Sequence, residues 1–514
     1  MKGNVGQRRS MVVISWIQFL TFIDTTIIAV GLASIQSSLN AGLQQLQWVV
    51  GGYALVFAAF MLSFGKLADN YGRRRILALG MSLFTFGSLI SALSVSPSML
   101  IAGRCIMGLG AAASEPGTLS MIRQIYPESS ARTKAFGIWA AVAGLAIAVG
   151  PAVGGLIVGL GGFRDLFWFS AILGIFGSVG SILWLPESFY IRVAKFDYMG
   201  AAASIISLAA TVSAVIIGES RGYGSPYVVF LFICGLLFLL AFIKIESSVS
   251  DPVVDLSYFR IPTYVVALIN GFSTFFAIIA VFFFTALYLQ LIEGYSGYRT
   301  AFVFLPMTIG MVLSALFAGR LVAANGPRRP LYFGAAISGI GILLCDLALS
   351  NGVEVILLMI SLTLVGFGFG ITVVPVTSIA VNALPAEKSA VAAATTNASR
   401  GLGVIAGVSV LGSLLNRELT VGLTRRLIGI GVPLQLRKIV LVTIQTGSLP
   451  GGSSGEIANI EKAYGPLLLK AINIAYLQFH RGLSIALVVA GVMMLVSALA
   501  SSVAFRSELA HPEI

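Results

Sequence analysis

Charge is scarce in this sequence. Of its 514 residues only 10% are Asp, Glu, Lys or Arg, while 57% are hydrophobic, and the mean hydropathy is +0.97. A water-soluble chain of this length does not show such values. Histidine is rarer still, with His480 and His511 the only two. Metal-ligand clusters, nucleophile constellations and phosphate loops are missing as well, so an enzyme is the weakest reading and no cofactor or metal is expected. The three cysteines, Cys105, Cys234 and Cys345, fall inside apolar segments. They have neither disulfide-framework nor metal-ligand spacing and read as buried thiols. No small-residue cleavage site follows Lys2, Arg8 and Arg9, so the apolar run from Met11 reads as an uncleaved first helix.

What the chain has in abundance is long apolar runs. About fourteen of them reach the roughly 17–25 residues that span a bilayer, from 11–33 at one end to 481–504 at the other. An even number puts both termini on one side. The net charge of +12 does not point to nucleic acid, because the basic residues fall in connectors. Lys2, Arg8, Arg9, Lys66, Arg73, Arg74, Arg75, Arg123, Arg132, Lys134, Arg320, Arg328 and Arg329 alternate in topology with short outer connectors carrying only Arg164, Arg221 and Arg299, while Arg425, Arg426, Arg437 and Lys438 of the long segment 415–480 read as outer or as lying on an inner surface. The positive-inside rule then places both termini in the cytoplasm, with the lipid bilayer of the cell membrane as the partner. A monomer is expected.

One polar connector organises the rest. Gly65-Lys66-Leu67-Ala68-Asp69-Asn70-Tyr71-Gly72-Arg73-Arg74-Arg75 joins two apolar segments, with glycines framing a tight turn and Asp69 within charge-assisted reach of the arginines. The frame returns as Gly319-Arg320-Leu321-Val322-Ala323-Ala324-Asn325-Gly326-Pro327-Arg328-Arg329. Both glycines and two arginines recur at one constant offset, and Ala323 stands where Asp69 was. That is an internal duplication, a common build among secondary transporters.

The stretch Gly65–Arg75 resembles the signature connector of the major facilitator superfamily. The resemblance implies two six-helix halves, a central cavity between them and alternating access. It also implies that Gly65, Asp69, Gly72, Arg73 and Arg74 form a conformational-switch loop.

The fifth segment adds Gly144-Leu145-Ala146-Ile147-Ala148-Val149-Gly150-Pro151-Ala152-Val153-Gly154-Gly155. Gly150 and Gly154 share a helix face that admits a close neighbour, and Pro151 bends the helix. One reading is a plain packing face. The other is a resemblance to the family's antiporter motif over Gly144, Gly150, Pro151, Gly154 and Gly155, a bend and seal between the halves. With about fourteen segments, the chain is similar to the fourteen-helix drug:proton antiporters. The expected class is an all-α membrane protein of two pseudo-symmetric six-helix halves, 1–190 and 263–514. Two inserted helices occupy 191–262, and an outer loop lies at about 415–480, with turn chemistry at Pro450-Gly451-Gly452-Ser453-Ser454-Gly455.

Carboxylates inside the membrane are costly and so mark function. Asp24 and Glu115 lie near the middle of the first and fourth segments. Arg104 stands three helical turns before Glu115, in a stretch with Gly108 and Gly110 that resembles the family's proton-linked fourth-helix motif. Gly366, Gly368, Gly370 and Pro375 echo that stretch in the second half, without its charges. Asp24, Glu115 and Arg104 are the proton-coupling candidates, while Glu115 reads equally as a counter-charge for a cation or as a structural acid. Gln18 and Thr21 belong to a polar face beside Asp24. Phe272, Phe275, Phe276, Phe282 and Phe283 form a stripe facing either lipid or a cavity that suits amphiphilic cargo. The function expected is proton-coupled export of amphiphilic or hydrophobic small molecules, such as drugs and dyes. A lipid-handling transporter or scaffold on the same fold is the alternative.

Overall fold

The computed structural model describes residues 5–187, 197–249, 255–350, 352–384, 389–438, 440 and 454–510. Twelve of its helices are long and apolar enough to cross a membrane. We number the long helices in chain order. The first group comprises α1 (Val5–Leu39), α2 (Leu43–Tyr71), α3 (Arg73–Ala92), α4 (Pro97–Ile125), α5 (Ser129–Gly161) and α6 (Phe163–Trp184). Next come α7 (Tyr198–Arg221) and α8 (Pro226–Glu246). The last group comprises α9 (Pro262–Leu291), α10 (Gly297–Asn325), α11 (Arg328–Leu349), α12 (Val355–Asn382), α13 (389–429) and α14 (Ser454–Ala510). The twelve include neither α2 nor α4, although both are of spanning length, and α4 carries Arg104 and Glu115. No named strand occurs among the described residues.

The duplication read from the connectors reappears as packing. In the first group α3 packs on α4 and α6, α2 on α4, and α1 on α5. In the last group α11 packs on α12 and α14, α10 on α12, and α9 on α13, which are the corresponding pairs. Glycine sets these close approaches. A β-carbon on Gly108 would strike the Tyr53 backbone of α2, and one on Gly366 would strike Met307 of α10. Likewise Gly110 lies against Phe84 and Gly80 of α3, and Gly368 against Ser338 and Gly334 of α11. The fourth-helix glycines and their echo therefore perform one job twice.

Each signature connector resolves into a near-immediate reversal. Gly72 alone separates α2 from α3 and has φ +100°, while Gly326 has φ +71°, conformations that only glycine adopts without strain. The arginines just beyond them reach the last helix of their own group. Arg74 donates to the Ile182 carbonyl and approaches Glu187 at 3.8 Å. Arg328 donates to the Ser502 carbonyl at 3.3 Å. Arg74 thereby lies at the C-terminus of α6, where the macrodipole favours a cation. Arg73 donates to the Ser120 carbonyl of α4 at 3.1 Å. The Asp69 side chain lies outside the described residues. Below, the side of the bundle bearing Gly72 and Gly326 is the turn face, and the opposite side is the far face.

Two expected features take a particular form. The region 415–480 is carried largely by the ends of its flanking helices: α13 runs on to Gly429, and α14 is unbroken from Ser454. Leu423, Leu427, Val432, Leu436, Ala471 and Ala475 close a small apolar core between them, which is why the helices outlast the bilayer. The expected turn at 450–453 lies outside the described residues. Of the cysteines, Cys345 is buried, and Cys105 and Cys234 are half-buried and unpaired.

Candidate functional site

The first and last groups meet along two seams. On one, α2 runs beside α13, with Gly51 against Val408 and Gly401 against Ala58. On the other, α5 runs beside α10. There a β-carbon on Gly155 would strike Ala301 and the Gly297 carbonyl, and Thr308 donates to the Ala148 carbonyl at 2.6 Å. Gly150 and Gly154 instead face α1, against Thr26 and Ile27. The glycine-rich stretch of α5 thus serves two neighbours, one in its own group and one across the seam. Pro151 sits inside α5 between these contacts.

Near the middle of the bundle Asp24 and Arg104 meet. Arg104 Nη1 lies 2.5 Å from Asp24 Oδ2, and both side chains are 1% exposed. Arg104 Nε donates to the Val49 carbonyl at 3.0 Å, and the guanidinium sits 4.5 Å from the centre of the Tyr53 ring. One arginine on α4 therefore ties α1 and α2 together. Burial makes this pair consequential: in a medium that screens poorly, neither charge is tolerated without the other.

The second cluster crosses between the groups. Asn397 Nδ2 of α13 donates to Glu115 Oε1 of α4 at 2.6 Å. Arg400 Nη1 donates to Asn397 Oδ1 at 2.8 Å, and Arg400 Nη2 donates to Thr377 of α12 at 2.7 Å. Glu115, Asn397 and Arg400 are all buried. Glu115 Oε2 has no hydrogen-bond partner, and the Gln18 amide comes up beside it without a well-aligned bond. Asn397 and Arg400 were not among the residues singled out from sequence. Arg400 lies inside the apolar segment at 390–414, and a guanidinium at that depth is as informative as a carboxylate.

Between the two clusters lies a cavity of about 30 Å³ lined by Thr21, Phe22, Thr25, Tyr53, Phe275 and Arg400, among others. That is room for a water or two rather than a drug, so the bundle is nearly closed on itself here. The phenylalanine stripe faces inward. Phe275, Phe276, Phe282 and Phe283 are buried, Phe275 packs edge-on against Phe22, and Phe272 stacks on Phe276. Of the expected cavity residues, Thr21 and Phe275 line the space, Gln18 adjoins Glu115, and Phe272 and Phe276 back the wall against α13. A π-turn in α9 at Ile279–Phe284 faces another in α13 at Gly407–Leu411. Such turns locally loosen a helix, often at functional positions.

A duplicated helical bundle with paired charges buried between its halves is the architecture of a membrane transporter. Residues 14–191 and 197–408 match the Major Facilitator Superfamily, and the chain belongs to that family. It is a transporter rather than an enzyme. Among its relatives is the multidrug resistance protein Stp of Mycobacterium tuberculosis, 34% identical over 77% of this chain and 74% of that protein. Another is the methylenomycin A resistance protein of Bacillus subtilis, 30% identical over 77% of this chain and 85% of that protein. In fold, the chain is similar to a bacterial homolog of the human lysosomal transporter Spinster in an inward-facing, unoccupied conformation. That likeness has a TM-score of 0.64 at 15% identity and covers 98% of this chain and 99% of the other.

Proposed function

We propose that this protein is a proton-coupled antiporter that exports amphiphilic small molecules by alternating access, in the manner of the fourteen-helix drug:proton antiporters. The observation that carries the proposal is the buried Asp24–Arg104 pair beside a cavity walled by aromatic and hydroxyl side chains. While Asp24 is ionised, Arg104 is compensated. A proton on Asp24 removes that compensation and leaves a buried cation whose burial is strongly unfavourable. Protonation therefore has to bring a rearrangement that hydrates Arg104 or gives it another acceptor. That requirement links proton occupancy to conformation, which is what antiport needs.

Glu115 has a different part in this reading. Its bond to Asn397 crosses between the halves, and Arg400 supplies the charge balance. The bond persists only while α4 and α13 stay together, so Glu115 acts as a latch between halves. Its unpartnered Oε2 and the adjacent Gln18 leave a place for a cationic or hydrogen-bonding cargo atom. The turn face is taken as cytoplasmic, in keeping with the basic connectors.

Transport into inside-out vesicles under an imposed ΔpH, with a panel of dyes, drugs and lipids, tests the proposal. Asp24→Asn should abolish uphill export while sparing binding and energy-independent exchange. Glu115→Gln should weaken cationic cargo and spare neutral cargo. Full ΔpH-driven export by Asp24→Asn at wild-type levels would remove Asp24 from the coupling role.

A further inference from the structure

Helix α13 continues well past the apolar layer. A 30 Å hydrocarbon core occupies roughly 20 helical residues, so the final turns of the 389–429 helix stand at or beyond the headgroup level on the far face. There a π-turn at Glu418–Gly422 interrupts the helix. Around it Arg417, Arg425 and Arg426 of α13 and Arg481 of α14 line one cavity of about 170 Å³, together with Glu418 and Gln478.

Three features make this a built site at the surface rather than scattered charge. The first is charge. Among the described residues Glu418 is the one carboxylate on the wall, and no salt bridge neutralises any of the four arginines. Arg417, Arg425 and Arg481 are exposed and Arg426 is half-buried; guanidiniums do not shed their protons, so an anion drawn into the space between them gains several charge-assisted contacts at once. The second is Gln478, which is 1% exposed. In the amide orientation that satisfies both of its ends, its nitrogen donates to Glu418 at 3.2 Å and its oxygen accepts from Arg426 Nε at 2.9 Å. Arg426 is thereby fixed from beneath. The third is Gly422, where a β-carbon would fall 2.8 Å from both Glu418 and Gln478. Glycine keeps that floor open.

The position sharpens the argument. Arginines are sparse on the side of a membrane protein opposite its basic connectors, so four gathered there call for a ligand. The fork of a guanidinium matches phosphate oxygens in pairs. The volume is below the roughly 300–1,000 Å³ of pockets that enclose a drug-sized molecule, but it accommodates a phosphate group.

We propose that this far-face cavity binds a phosphate group, carried either by an anionic phospholipid headgroup or by a free phosphate ion. The site is separate from the central cavity, so it stands or falls independently of the efflux reading. The full-length protein is placed in phosphatidylcholine nanodiscs. Inorganic phosphate or admixed phosphatidylglycerol is then titrated, with binding followed by native mass spectrometry and thermal unfolding. At least one ligand should bind the wild type about tenfold more tightly than the Arg425→Gln/Arg481→Gln variant. A response to free phosphate alone assigns a soluble ligand, whereas retention of phosphatidylglycerol without a phosphate response assigns the headgroup. Gly422→Val keeps all four guanidiniums but fills the floor, and it should lose binding to a similar extent. A single symmetric peak on size exclusion and an unchanged helical circular-dichroism spectrum verify that both variants fold. If neither ligand distinguishes the wild type from the arginine variant, no site exists. If Gly422→Val binds like the wild type, the attraction is diffuse surface charge, and the proposal is equally overturned.

Discussion

Asp24 and Arg104 illustrate how little a buried ion pair contributes to stability and how much it constrains. Replacing a buried pair with apolar groups is often neutral, whereas removing one partner costs about 3–5 kcal/mol. Asp24→Asn should therefore lower the thermal stability of the purified protein by roughly that amount, because Arg104 stays buried with no charged partner, facing the Val49 carbonyl, the Tyr53 ring and the Met107 sulfur. The double variant Asp24→Asn/Arg104→Met should recover most of the loss while remaining uncoupled. Recovery of stability without recovery of coupling separates the two roles, and a double variant no more stable than the single would mean that Arg104 is held chiefly by its other contacts. Asp24 and Glu115 are legible in sequence as carboxylates inside apolar segments. Arg400 carries the same signal with the opposite sign of charge. No sequence rule links Glu115 to Asn397, since their contact arises from two halves folding face to face.

Among the elements, α5 carries the sharpest contrast. Its Gly155 is pressed against α10, whereas a β-carbon on Gly144 would sit 3.8 Å from Ala315, an ordinary contact. Gly155→Val should hold the α5–α10 seam apart and lower turnover about tenfold, in line with the usual cost of overpacking. Gly144→Ala should leave transport within twofold. Equal effects in a vesicle assay would mean that the seam tolerates expansion and does not govern the cycle. These helices were legible because glycine spacing and the paired connectors are local signals. The lengths of α13 and α14 were not. Their extensions are held by a small core between residues far apart in sequence, Leu427 and Ala475 among them, and hydropathy alone ends each helix at the bilayer. The inward direction of the phenylalanine stripe was undecided for a similar reason: lipid and protein interior are equally apolar, so composition does not separate them.

At the scale of the whole molecule, sidedness is the first thing to establish. Tyr71 on the turn face and Val95 on the far face are both exposed. In intact cells, Val95→Cys should react with an impermeant maleimide, and Tyr71→Cys should react only after permeabilisation. The reverse pattern would invert the orientation drawn from the basic connectors.

The pair α7 and α8 bears on a different matter, which is how each seam faces the surrounding lipid. A bundle with true twofold symmetry would offer the surrounding lipid two equivalent doorways, one along each seam. Here α7 lies along the α2–α13 seam. Gln44 of α2 donates to the Ile216 carbonyl of α7 at 3.2 Å, Gly51 of α2 faces both Ile216 and Val408, and Tyr223 bonds Ser413 of α13. The α5–α10 seam is instead flanked by exposed Leu156, Leu160, Phe302 and Ile309. One seam is therefore covered by an extra helix, whereas the other, closely packed at Gly155, presents its apolar flank uncovered. The pair α7 and α8 makes the two sides of an otherwise duplicated bundle unequal toward the lipid.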